Sequence, residues 1–360
     1  MDPMTKAVNR ENKARILMFA YDFDPQSQIF SHQYRAISEF SKNFNQVFLI
    51  VNSCMPNVNK PNNLQIYNLK WNESNIFVSV FRLYFFFFKI IVVFRPKIVF
   101  SFMTETHSAL VGLFTRMLGI KHLLWYAHVA TPIRLKIALF FVNRILTSTK
   151  DSISYSSKKV VAIGQMIDEN IFYPPANKDY SRREKWIHVG RIDPSKNIEY
   201  LIETFLNFQN FNRKMTFEFI GSSTDKNQSY ERYLKSKYKD SIDDGSIIFS
   251  GKKNSNEICL LLQESDLFCH AFMGSLDKTL IEATLCGLTV VTKNKAYLNE
   301  FGPLTKIPTY YTNYFSEELS SWQSASNDHL RIMAEQRRNI ALVSHTFSNW
   351  ILKVNAELAK

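Results

Sequence analysis

The chain has 360 residues, 46% of them hydrophobic, with 44 Lys and Arg against 32 Asp and Glu and a formal net charge of +12. That apolar content offsets chain entropy and excludes a disordered polypeptide, and the length suits two domains of about 150–180 residues. Only 10 glycines occur in the whole chain, which argues against a Gly-rich phosphate loop.

In chain order, MDPMTKAVNRENKAR is polar and lacks the apolar run of a signal peptide, so a cytoplasmic location is expected. Arg15 to Tyr21 reads as a first strand, followed by the loop DFDPQSQ and a helix from about Ser31 to Phe44. Gln46 to Asn52, Lys97 to Phe102 and His122 to Ala127 read as further strands with helical stretches between them. Strand and helix alternating at this rhythm predict an α/β fold, a doubly wound parallel sheet with helices on both faces. Lys158 to Ile163 closes this half, and the Pro-containing segment IDENIFYPPANKDYSRREK reads as a linker. The pattern then restarts at Trp186 to Val189 and continues through Thr216 to Ile220, Ser246 to Phe249, Leu267 to Cys269 and Thr289 to Thr292. The expected division is a first domain over 1–172 and a second over 173–343, with an amphipathic helix in 344–360 docking back on the first. In such folds ligands bind past the carboxyl ends of the strands, so two facing domains would make a cleft there.

The charge is uneven. Residues 1–176 hold 20 Lys and Arg against 10 Asp and Glu, and residues 177–360 hold 24 against 22. A basic first half suits an anionic membrane surface or an anionic ligand. It also suits nucleic acid, but no motif for that is present and none is expected to bind. VFRLYFFFFKIIVVF, Val80 to Phe94, is the most apolar stretch. Arg82 and Lys89 lie seven residues apart and share one helical face. Two readings stay open: a helix buried under the sheet, or an interfacial helix whose cations meet lipid headgroups. The four cysteines, Cys54, Cys259, Cys269 and Cys286, form no CxxC pair and read as reduced structural thiols.

Two motifs carry chemistry. In HVGRIDPSKNIEYLIETF a strand ends at Gly190, and Arg191 and Lys196 bracket a turn with a helix expected from about Ser195. A cation in the first turn of a helix opposes the helix dipole and makes sense where an anion sits; the other reading is a surface turn with solvated charges. In GSLDKTLIEATLCG a helix is expected from about Ser275 or Leu276, with Lys278 placed to reach phosphate and Glu282 about two turns in. A carboxylate there can accept both hydroxyls of a ribose, or it can be a locally paired core residue.

Together VGRIDPSKN and IEATLCGLTVV resemble the nucleotide-sugar half of the retaining glycosyltransferases of the GT-B fold, the large family four, or group 1, glycosyl transferases. IIFSGKKNSNEICLLLQESDLFCHAF between them and ILTSTKDSISYSSKKVVAIGQMIDENIF before them also fit that family's pattern. The resemblance implies two Rossmann-like domains facing a cleft and sugar transfer from a nucleotide-sugar to a glycan or lipid-linked acceptor. Arg191 and Lys196 would bind the donor diphosphate and stabilise it as it leaves, Glu282 would hold the ribose, and Gly190, Gly251, His270 and Lys278 would complete the donor set. The family commonly has Glu where this chain has Gly274; backbone N–H groups near Gly274 and Ser275, with Asp277, are the candidates for gripping the sugar instead. That departure leaves open a sugar-nucleotide-binding protein without turnover.

His128 ends the strand of LLWYAHVATP and matches the first-domain histidine near the transferred sugar, so it is both a catalytic and an acceptor-side candidate. His107, Asp24 and Gln28 follow strand ends and are further acceptor-side candidates. Asp22 and Asp24 invite a metal reading, but with no other ligand cluster nearby no metal and no cofactor are expected.

Overall fold

The computed structural model describes residues 14–27, 31–209, 214–304 and 314–360. They form two compact units. One holds residues up to Thr147, Ile153–Ala162 and Ile351–Lys360; the other holds Ser148–Ser152 and Ile163–Trp350.

The first unit is built on strands β1 (Arg15–Phe23), β2 (Gln46–Cys54), β3 (Leu64–Asn68), β4 (Ile98–Phe102), β5 (Lys121–Trp125), β6 (Arg144–Thr147) and β7 (Val160–Ala162). They make one sheet in the order β3-β2-β1-β4-β5-β6-β7, and every pairing is parallel. Central strands covered on both faces read as unbroken apolar runs, and Ile16–Ala20 and Val47–Val51 are fully enclosed. Four helices connect them: α1 (Ser31–Ser41), α2 (Ile76–Phe94), α3 (Glu105–Met117) and α4 (Ile133–Phe141). Phe40 of α1 packs on Phe100 of β4, ring centroids 5.6 Å apart. Leu83, Phe87 and Ile90 of α2 join Val111 of α3 over Leu17, Phe19, Phe48 and Ile50.

α2 resolves the two readings of the aromatic stretch into one geometry. Ser79, Leu83, Phe87 and Ile90 are buried, while Phe77, Phe81, Phe85 and Val92 on the other side are exposed. Arg82 does not share a free stripe with Lys89, because its Nη1 donates to the Leu69 carbonyl at 3.1 Å and to Ser74 Oγ at 2.7 Å.

The second unit is built on β8 (Lys185–Val189), β9 (Thr216–Ile220), β10 (Ile247–Gly251), β11 (Leu267–His270) and β12 (Thr289–Thr292). The order is β10-β9-β8-β11-β12, again all parallel. Around it lie α5 (Ile198–Gln209), α6 (Gln228–Lys237), α7 (Lys239–Asp243), α8 (Ser255–Glu264), α9 (Lys278–Leu285), α10 (Lys295–Phe301), α11 (Tyr314–Ser324) and α12 (Asn327–Ser344). Residues 163–172, expected in the first domain, pack in this unit: Ile167 and Phe172 join the core of Leu280, Ile281 and Val290, and Ile167 bridges Thr346. The last helix, α13 (Phe347–Ala359), belongs to the first unit from Ile351 onward. There Lys121 Nζ donates to the Leu358 carbonyl at 2.8 Å.

The cysteines are free, with Cys259 and Cys286 Sγ atoms 3.9 Å apart in the core of the second unit.

Candidate functional site

In the second sheet chain order reverses direction between β8 and β11. Loops leaving the carboxyl ends of two such strands diverge and leave a crevice, the usual ligand position in an open parallel sheet. Both chemistry-bearing motifs follow these two strands.

After β8 the backbone turns at Gly190, which lies against the neighbouring loop. A Cβ on Gly221 (φ +133) would lie 1.9 Å from the Gly190 carbonyl oxygen, so only glycine fits at 221. Arg191 is exposed at this strand end. Asp193 caps a short 3-10 turn, Pro194–Lys196, by accepting from the Ser195 N–H at 2.9 Å, and Asn197 in the left-handed region ends it. Lys196 therefore closes a 3-10 turn, and α5 begins only at Ile198, not near Ser195 as the sequence suggested. The turn aims the Lys196 side chain inward, where it is 7% exposed.

Two groups meet it there. Lys196 Nζ donates to Asp277 Oδ2, and it lies 4.0 Å from the centre of the Phe272 ring. Asp277 Oδ2 is also 3.4 Å from His270 Nε2, and His270 Nδ1 is 3.0 Å from Thr292 Oγ1. Burial would push the Asp277 carboxyl up, but Lys196 and His270 outweigh it and hold it well below the ordinary carboxylate range. Burial lowers His270 despite the opposing pull of Asp277, so the ring is neutral at pH 7. His270 is fully enclosed; it does not reach out toward a ligand and serves as a buried prop under Asp277.

The loop from Phe272 to Asp277 is held from behind. Asn294 Nδ2 reaches the carbonyls of Phe272 and Gly274 at 3.1 Å each and of Ser275 at 3.0 Å. Leu276 is turned inward, its N–H donating to Ser152 Oγ at 3.2 Å and its carbonyl accepting from Gln165 Nε2 at 2.8 Å. This anchoring delays the helix to Lys278, past the expected Ser275 or Leu276. Asp277 occupies the N-cap position but makes no side-chain cap, since its carboxylate is committed to Lys196 and His270. The Leu280 N–H turns back to the Asp277 carbonyl at 3.2 Å, and the N–H groups of Lys278 and Thr279 before it have no side-chain cap, the condition under which a helix start binds an anion.

Lys278 is exposed at that start. Glu282, one turn on, is 7% exposed, and its carboxylate makes no hydrogen bond to a described residue. Burial raises its pKa, Lys278 opposes this and Asp277 adds to it. A nearly buried carboxylate without a donor can accept hydroxyls that arrive with a ligand, or stand as a structural core group. Gly251 ends β10 with φ +66, and its carbonyl accepts from the Gly221 N–H at 2.8 Å, so it shapes the floor of the same strand edge.

Sequence reading missed Asn294, Thr292, Phe272 and Gly221. Only Asn294 left a trace, in the polar run Lys293–Asn294–Lys295 after an apolar strand.

In the first unit the candidates do not form one cluster. His128 is exposed, with Nδ1 accepting from the Ala130 N–H at 3.4 Å. Asp24 Oδ1 accepts from the Gln26 N–H at 2.7 Å within its own loop, and Asp22 Oδ1 accepts from Ser53 Oγ of the neighbouring strand β2 at 3.1 Å, so the two carboxylates have separate partners. Among the described residues no group of three or more His, Cys, Asp or Glu is placed to hold a metal ion. Gln28 lies outside the described residues. His107 is 2% exposed between the rings of Phe19 and Trp71, at 5.6 and 5.2 Å, with burial lowering its pKa to about 4. It is a core histidine and not an acceptor-side group, because α3 turns it into the sheet.

Residues 171–301 match the family model described as Glycosyl transferases group 1. Three solved structures share the fold. Anabaena Alr3699/HepE in complex with UDP and glucose is 12% identical, with a TM-score of 0.69 over 96% of this chain and 100% of that one. Sucrose-phosphate synthase (tll1590) from Thermosynechococcus elongatus is 12% identical, with a TM-score of 0.75 over 96% and 98%. WaaG, a glycosyltransferase involved in lipopolysaccharide biosynthesis, is 12% identical, with a TM-score of 0.63 over 94% and 98%. No curated protein matches significantly in sequence. The fold is GT-B, two Rossmann-like domains, and the family match supports glycosyltransferase activity.

Proposed function

We propose that this chain, with its group 1 glycosyl transferase domain, is a retaining, metal-independent glycosyltransferase that needs no cofactor. The second unit binds a nucleotide-sugar, and the first receives a glycan or lipid-linked acceptor at the cytoplasmic face of a membrane, in cell-surface polysaccharide synthesis. The observation that carries the donor half is the Lys196–Asp277 pair beside the uncapped start of α9, with Arg191 exposed across the same strand edge. That arrangement supplies two cations and free N–H groups to a diphosphate, and Glu282 supplies a carboxylate to the ribose. The UDP and glucose bound by the Anabaena protein, and the lipopolysaccharide role of WaaG, support the substrate class and the setting.

The chemistry is a front-side displacement. The bond from the anomeric carbon to the phosphate oxygen breaks, the acceptor hydroxyl oxygen bonds to that carbon on the same face, and its proton passes to the departing phosphate. Negative charge grows on the diphosphate, where Arg191 and Lys196 stabilise it more than in the ground state. Gly274 favours one other reading, a binder without turnover, because a family carboxylate is missing there. Thermal-shift measurement across nucleotide-sugars and nucleoside diphosphates tests the donor site, since a ligand of the native state raises its apparent stability. If none of them shifts the unfolding temperature, the reading fails. Donor binding without hydrolysis or transfer would select the binder.

A further inference from the structure

The outer layer of the first unit has a surface the donor site does not use. Along α2, Phe77, Phe81, Phe85, Phe88 and Val92 recur at helical spacing on the side away from the sheet. Phe77 is 80% exposed and Phe81 70%. α3 lies beside α2: Tyr84 Oη donates to the Leu110 carbonyl at 3.1 Å, and the Phe88 and Phe114 rings meet edge-on at 5.0 Å. α4 lies beside α3: a Cβ on Gly112 would come within 2.8 Å of Phe141 Cβ, and Arg116 Nη1 donates to the Phe140 carbonyl at 2.8 Å. α3 adds exposed Leu113, Met117 and Leu118, and α4 adds Ile133, Ile137 and Phe140. The three helices thus present one broad apolar face, more than a soluble monomer leaves to water without use.

Charge decides what covers it. Residues 74–150 contain ten Lys and Arg and a single acid, Glu105. Glu105 is itself buried, with Oε1 2.7 Å from Arg134 Nε. Lys89, Arg116 and Lys136 are exposed on these helices, and Arg95 and Lys97 in the turn that follows α2. A second copy would bring this positive face against itself, and like charges oppose that pairing. An anionic bilayer complements both features, the apolar row and the cations around it.

Topology decides how. α2 is apolar and long enough to cross a membrane by length and composition, but it is also the crossover from β3 to β4 within one sheet. Moving it across a bilayer would strip Leu83, Phe87 and Ile90 from the core they complete. A helix held in this way can meet a bilayer only in the plane of its surface.

We propose that α2, α3 and α4 form a docking face that seats the protein on an anionic lipid surface, with Phe77, Phe81 and Phe85 among the acyl chains and Lys89, Arg116 and Lys136 at the phosphates. This deepens the membrane contact of the proposed function and rests on that reading for its link to a lipid-borne acceptor.

The test is co-sedimentation of the full chain with phosphatidylglycerol–phosphatidylcholine vesicles and with phosphatidylcholine vesicles. The variants are Phe77→Ser/Phe81→Ser/Phe85→Ser and Lys89→Glu/Lys136→Glu, with folding checked by circular dichroism. The unaltered protein is expected to bind the anionic vesicles and to release with salt. Each variant should bind them at least about tenfold more weakly, since each removes two or more of the contacts that would hold the face to an anionic surface. Nucleoside diphosphates should still shift the unfolding temperature of both variants, which separates a failed docking face from a failed donor site. Absence of vesicle binding by the unaltered protein overturns the proposal, as does equal binding by the serine variant. A dimer abolished by the serine variant, without vesicle binding, assigns the face to a second copy instead.

Discussion

Asp277→Asn isolates the charge pair at the centre of the donor site, because it keeps the shape of the side chain and removes its charge. Lys196 is 7% exposed, and its charge is met at hydrogen-bond distance by Asp277, with the Phe272 ring and His270 close by and the Asp193 carboxylate farther off. Removing one partner of a buried pair costs about 3–5 kcal/mol. Here Asp277 lies at a loop edge and the cation–π contact survives, so a loss of about 2–3 kcal/mol is expected. At about 2–4 °C per kcal/mol for a unit of this size, the unfolding temperature should fall by roughly 5–10 °C. A diphosphate returns the missing negative charge. A nucleoside diphosphate should therefore raise the unfolding temperature of the variant more than that of the unaltered protein, while turnover falls because Lys196 is no longer held in place. The assay is a thermal scan of both proteins with and without nucleoside diphosphate, followed by single-turnover kinetics. If the variant is as stable as the parent and responds equally to the diphosphate, Asp277 does not compensate Lys196 and the argument collapses.

Arg191→Ala and Lys196→Ala should each lower turnover by roughly 10²-fold or more through lost stabilisation of the leaving group, and near-normal rates in both would remove that role. Glu282→Gln should weaken donor binding by about 1–3 kcal/mol, the range for hydrogen bonds to a charged partner; unchanged affinity in a destabilised protein would make Glu282 structural. Transfer should survive EDTA, and full loss restored by magnesium or manganese would bring a metal back into the mechanism. Burial pushes His107 down to about 4 and His122 and His188 to about 3. Their folded values lie below the unfolded one, so the unfolded chain takes up protons first and stability should fall as pH drops from about 6.5 toward 4. At pH 5 each costs about 2 kcal/mol, so His107→Leu should lose less stability between pH 7 and pH 5 in urea titrations; an unchanged pH dependence would contradict the burial argument.

What sequence could show depended on how local the cause was. β1 and β2 are long apolar runs and were legible as strands, ending at Phe23 and Cys54 rather than at Tyr21 and Asn52. β3 was not, because Gln65 and Asn68 interrupt LQIYN, and an edge strand has no need of a continuous apolar run. β6 is only Arg144–Thr147, too short for any period. The positions of His107 and His270 after strands were visible, but their burial was not. It depends on Phe19 and Trp71 for one and on Thr292 and Asp277 for the other, residues brought in by the fold. The late start of α9 has the same origin, since Ser152 and Gln165 hold Leu276 from far upstream.

The departure at Gly274 follows from those same contacts. A Cβ at Gly274 would lie 2.1 Å from the Phe272 ring, so a glutamate there would displace the ring that faces Lys196. Phe272, Gly274 and Asp277 are therefore one arrangement. The ring needs the glycine, and the carboxylate that the family commonly carries at the glycine has its charge supplied three residues later. From there Asp277 reaches Lys196 at the start of α9 and leaves the first N–H groups of that helix without a side-chain cap. For the proposed function this would set the negative charge against the lysine assigned to the diphosphate, where it would act on the leaving group. The grip on the transferred sugar would then fall to the backbone of the Gly274–Ser275 loop, whose carbonyls Asn294 fixes from behind.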